Sequence, residues 1–160
     1  MPATAPADYR SRFNDSEWQA LSYAPAIVFA LVAGADGVID KKEIESFKVQ
    51  IVKTLAFDSG LLRAIMVQEL SRFTALFDGI YAGTIEPADT LLEIAAIIEA
   101  KLSADEAGQF RAELLMIGRY VAEASGGFLG LFGSKVSKAE QQALDFLKTH
   151  LQPLSRGDAG

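Results

Sequence analysis

Along almost the whole chain the large apolar residues recur at steps of three and four. Leu62, Ile65, Met66, Leu70, Phe73, Phe77 and Ile80 form one such stripe, and Ile44, Phe47, Ile51 and Leu55 form another. The same steps link Leu91, Ile94, Ala95, Ile98 and Leu102, then Phe110, Leu114, Ile117 and Val121, and finally Leu144, Leu147 and Leu151. This is the spacing of one face of an α-helix. No segment alternates apolar and polar residues between turn signals, as a half-buried strand would. Such a pattern predicts an all-α fold of about seven helices that hide their stripes against one another.

Helix starts follow from capping chemistry. Asn14 with Glu17, Asp40 with Glu43, Ser103 with Glu106 and Ser137 with Glu140 all have capping-box spacing. In each pair the short side chain accepts from the amide three residues on, and the glutamate reaches back. Pro25 and Pro87 suit a first helical turn, where the missing N–H costs no hydrogen bond. The predicted helices run near 15–22, 25–35, 40–56, 60–81, 87–102, 104–124 and 137–151. Residues 15–151 read as a single helical domain. Residues 1–14 and 152–160, rich in Ala, Pro, Gly and Ser, read as loose segments.

Composition narrows the chemistry. The 160 residues contain no cysteine and a single histidine, His150, which excludes disulfides, thiolate metal sites and multi-histidine metal sites. A net charge of −6 argues against a nucleic-acid partner and favours cations or basic protein surfaces. The uncharged run Trp18–Ala35 is interrupted by Gln19, Ser22, Tyr23 and Pro25, so it predicts a buried helix and no membrane span. The start of the chain lacks the charged and apolar regions of a secretory signal.

Two segments resemble each other. Ala35-Asp36-Gly37-Val38-Ile39-Asp40-Lys41-Lys42-Glu43 is matched by Ala124-Ser125-Gly126, resumed at Val136-Ser137-Lys138-Ala139-Glu140. The physical reading is a pair of helical hairpins, 25–56 and 104–151, each turning at a glycine and restarting at a capping box. Gly37 and Gly126 are then the residues just past a helix end. Between the halves of the second copy lies a glycine-rich stretch carrying Phe128, Leu129, Leu131 and Phe132.

The first string, continued back to Ala30 and on to Glu45, resembles the first signature of the TerB-like tellurite-resistance family. The second, Ala124 to Glu140, resembles that family's second signature. The resemblance covers roughly residues 15–150. It implies an all-α bundle of about seven helices with an acidic surface for a divalent cation. It also implies a cytoplasmic protein of bacterial stress response, working beside TerC-like membrane proteins or TerD-like calcium-binding proteins, through which it would sit peripheral to the inner membrane. A homodimer is left open.

Asp36, Asp40 and Glu43 form the leading ion site. Asp36-Gly37, five residues, then Glu43 reproduces the second half of a calcium loop, and a turn bends carboxylate and carbonyl oxygens toward one point. Val32 and Gly34 stand where the first half needs ligands, so a complete EF-hand is excluded. The competing reading makes Asp40 and Glu43 a capping box and Asp36 a solvated turn residue. Glu140, with Glu123 near the end of the preceding helix, is placed to complete a shared site for calcium, magnesium or zinc; the competing reading is solvated cap glutamates. Phe128, Leu129, Leu131 and Phe132 form a candidate partner-docking loop, or else cover their own core. Arg111, Arg119 and Tyr120 give no basic patch, and His150 suits a helix C-terminus.

The sequence therefore predicts a non-catalytic, cation-binding interaction module. The rivals are a metal-independent scaffold and, less favoured, a metal-assisted hydrolase built on the same carboxylates.

Overall fold

The computed structural model describes residues 9–34, 45, 49, 60–126 and 138–151. Among them are seven α-helices, and no strand. They are α1 (Asp15–Ser22), α2 (Ala24–Ala33), α3 (Leu61–Glu69), α4 (Phe73–Tyr81), α5 (Pro87–Lys101), α6 (Ala104–Gly126) and α7 (Lys138–Leu151). Of the predicted helix over 40–56, Glu45 and Val49 are described; both are helical and exposed, as residues off the apolar stripe should be. No helix among the described residues is long and apolar enough to cross a membrane.

Two of the capping boxes are in place. Asn14 Oδ1 accepts from Glu17 N at 2.8 Å while Glu17 Oε1 accepts from Asn14 N at 2.9 Å. Ser103 Oγ accepts from Glu106 N at 3.2 Å, and Glu106 Oε1 from Ser103 N at 3.0 Å. Each satisfies donors that a helix start leaves without intrahelical partners. Asp40, Glu43 and Ser137 lie outside the described residues. Pro25 stands in the first turn of α2 and Pro87 opens α5.

Beyond shifts of one or two residues at helix ends, three features differ from the sequence reading. The 60–81 helix is broken by a tighter 3-10 turn at Leu70–Arg72. Gly126 is the last residue of α6, so it is not the residue past the helix end. Among the described residues, the glycine that takes the left-handed conformation is Gly83, with φ +78°. It follows α4, and its N–H returns to Ile80 O at 3.2 Å. The predicted similarity of the hairpins 25–56 and 104–151 rests on Gly37 and its neighbours, which lie outside the described residues.

The core is organised around α2. Eight of its ten residues are buried, from Ala24 to Ala33. A helix apolar all round needs cover on every side. Helices α4, α5, α6 and α7 all pack against it, α6 most extensively. The stripes read from sequence supply that cover: Leu62 and Ile65 on α3, Leu91, Ile94 and Ile98 on α5, Phe110 and Leu114 on α6, and Leu147 on α7 are all fully buried.

Helices α6 and α7 run antiparallel. Gly118, midway along α6, lies against Leu144 and Leu147. Nearer the α6 start, Ala104, Gly108 and Leu115 share a cavity wall with Lys148 and Leu151 at the end of α7.

The described part of the N-terminal segment is docked rather than loose. Phe13 is buried 6.1 Å from the Trp18 ring, and the Arg10 guanidinium stands 5.5 Å over that ring while pairing with Asp15. Arg12 forks onto Glu106, with Nη1 2.7 Å from Oε2 and Nη2 2.9 Å from Oε1, and also donates to Lys101 O at 3.2 Å. One side chain thus ties the segment to the α5–α6 corner.

Arg12, then the Ser103 backbone amide, hold the Glu106 carboxyl down to about 2, from an ordinary value of 4.5. A depressed carboxyl stabilises the fold above its unfolded value and loses that contribution as pH falls. With side chains 37% and 27% exposed, the pair is screened by solvent and contributes about 0.5–1 kcal/mol. Urea unfolding should therefore show Arg12→Gln less stable than wild type by about that amount near neutrality. The gap should close as pH falls from 4.5 toward about 2.

Candidate functional site

Glu140 occupies the third position of α7, where a carboxylate suits both the capping box and the positive end of the helix. It is 1% exposed. The reading of Glu140 as a solvated cap is therefore corrected: the carboxyl lies in the protein interior. The cause is visible in the helix period. Glu140, Ala143, Leu144, Leu147 and Leu151 are successive positions on one face of α7, and the last two are fully buried. Glu140 extends the apolar stripe as a core position filled by an acid.

A second acid has the same placement. Glu113 stands between Phe110 and Leu114 on the buried face of α6 and is itself buried. Its Oε1 accepts from Gln109 Nε2 at 3.2 Å. Sequence reading passed it over, although its position within the stripe Phe110, Leu114, Ile117 and Val121 was the available signal.

Register brings Glu140 to the level of Glu123. With Gly118 opposite the stretch between Leu144 and Leu147, stepping along the antiparallel pair at about 1.5 Å per residue sets Glu140 level with residues 122–124 of α6. Glu123 is helical; only its backbone is described. Asp36, Asp40 and Glu43 lie outside the described residues, as do Phe128, Leu129, Leu131 and Phe132. Among the described residues, no group of three or more His, Asp or Glu side chains is placed to hold a metal ion.

The remaining polar residues singled out from sequence have structural settings. His150 Nδ1 lies 2.9 Å from Phe146 O in the last turn of α7, with its ring 4.0 Å from the Phe146 ring. Arg119 and Tyr120 are exposed. Arg111 turns away from them to α5, where its Nη2 donates to Glu99 Oε2 at 2.8 Å.

Fold and site together define an all-helical protein with carboxylates built into its helix interfaces. It belongs to the same family as the uncharacterized protein ORF11' of Methanothermobacter thermautotrophicus, to which it is 30% identical over 122 residues, 75% of this chain and 82% of that protein. No family model matches the chain, and no solved structure matches it.

Removing a buried carboxyl leaves a void and strands the groups that pair with it, so truncation should distinguish the interior acid from a solvated cap. Glu140→Ala should lower the unfolding free energy by about 1–3 kcal/mol in urea titrations. A solvated glutamate would lose only a few tenths.

Proposed function

We propose that the protein is a non-catalytic, cation-responsive interaction module of the TerB-like kind that its two signatures resemble. In this reading a divalent cation gathers carboxylates of the first acidic turn, Asp36, Asp40 and Glu43, with Glu140 at the start of α7. The observation that carries it is the burial of Glu140 at the glutamate position of the second signature. An ionised carboxyl inside a protein is kept there by a cation, a set of donors or a proton. Calcium, magnesium and zinc all accept carboxylate oxygens.

Ion binding at this point would act on partner recognition through the backbone. Glu140 is the third residue of α7, five residues after the end of the glycine-rich stretch that carries Phe128, Leu129, Leu131 and Phe132. Fixing the α7 start therefore fixes where that stretch re-enters the helical body. The partners implied by the resemblance are TerC-like membrane proteins and TerD-like proteins of a tellurite-resistance or stress system.

A ligand that binds only the folded state raises its melting temperature by mass action. At ten times the dissociation constant the gain is about 1.4 kcal/mol, a rise of about 3–5 °C for a chain of this size. Thermal melts with millimolar calcium, magnesium or zinc should show that rise for at least one ion. The double variant Asp36→Ala, Glu43→Ala should abolish it. No rise with any of the three in wild type would leave the metal-independent scaffold.

A further inference from the structure

At the other end of α7, about 16 Å along its axis from Glu140, a cavity of about 590 Å³ opens between the end of α5, the first half of α6 and the last turn of α7. Its volume falls within the range of small-molecule sites. The walls are mainly hydrocarbon, from Leu102, Leu115 and Leu151, with three charged side chains among them: Glu99, Arg111 and Lys148.

The charge arithmetic is unusual for this chain. Two cations and one carboxylate leave the cavity with a net charge of +1, in a protein whose net charge is −6. Lys148 has no ion-pair partner among the described residues. Arg111 is 12% exposed and gives Nη2 to Glu99; its buried Nε has no acceptor among the described residues. Buried N–H groups without acceptors are uncommon and call for a reason. A guanidinium held in place by one carboxylate, with further donors to give, is a ready receptor for a second.

The wall is also kept thin. Gly108 lies inside α6, where glycine is a poor helix former, and it lines the cavity. A Cβ added there would meet nothing within 4 Å. Packing therefore does not require the glycine, and a large side chain there would have open space beside the cavity to occupy.

We propose that this cavity binds a small monocarboxylate with an apolar body, a medium-chain fatty acid. Its carboxylate lies between Arg111 and Lys148, and its hydrocarbon lies against Leu102, Leu115 and Leu151. The cations select the charge sign. The hydrocarbon walls select against an inorganic anion, which would leave them in water. Glu99 holds Arg111 in position and at the same time weakens the attraction for an anion.

Calorimetric titration of the full chain with octanoate tests this. Wild type should bind one octanoate saturably, with octanol and inorganic phosphate each at least tenfold weaker. Arg111→Gln with Lys148→Gln should weaken octanoate at least tenfold, and Glu99→Gln should tighten it severalfold. Gly108→Leu should abolish binding while unfolding at or above the wild-type urea midpoint, which separates a filled cavity from a damaged fold. Absence of saturable octanoate binding, octanol binding equally tight, or unchanged binding in Gly108→Leu would each overturn the proposal. None of these variants touches the acidic turn or Glu140, so the outcome is separate from that of the cation reading.

Discussion

The crossing of α2, α6 and α7 is where the fold's geometry is decided. Helix α2 is apolar on all sides, so its burial is the main driving force and it must have helices around it. The three helices meet closely at Gly118. A Cβ there would stand 3.1 Å from side-chain atoms of both Leu144 and Leu147 and 3.5 Å from Val28 Cγ1. The missing side chain lets the three helices meet with Leu147 fully buried between them. Interiors are packed to crystal-like density, so a contact this close is felt by every neighbour. That contact fixes the level at which α6 and α7 meet, and the two ends of α7 carry different groups: a buried acid at the start, and at the end a cavity lined by Arg111, Lys148 and Glu99.

Much of this was legible in the sequence. The three- and four-residue spacing of Leu62, Ile65, Leu91, Ile94, Phe110 and Leu114 identified the faces that are buried, because helix geometry admits one periodicity. The Asn14–Glu17 and Ser103–Glu106 boxes were legible because capping is local chemistry. What local rules miss is tertiary. Nothing near Leu70 announces the 3-10 turn inside the 60–81 helix. Arg12 finds Glu106 across 94 residues, so a segment that reads as a loose tail is clasped to a helix corner.

The candidate site was legible in a different sense. Capping spacing marked Glu140, but capping alone describes a solvated residue. Its interior position follows from reading Glu140 as the first member of the stripe that runs through Leu144, Leu147 and Leu151. Glu113 teaches the same lesson on α6. An acid at a stripe position is a polar group committed to the core, and the helix period reveals it before any motif does. The cavity beside Arg111 had no such signal. Glu99, Gly108 and Lys148 are unremarkable in sequence and converge only once α5, α6 and α7 are packed.

If the Gly118 crossing sets the packing of the bundle, side chains added at two glycines of the same helix must act with opposite sign. Gly118→Leu should lose about 1–3 kcal/mol of unfolding free energy in urea, since three side chains have to move to admit it. Gly108→Ala, facing open space, should gain about 0.5–1 kcal/mol from helix propensity alone. Gly118→Leu as stable as wild type would show that α2, α6 and α7 do not depend on that close approach, and would contradict the account.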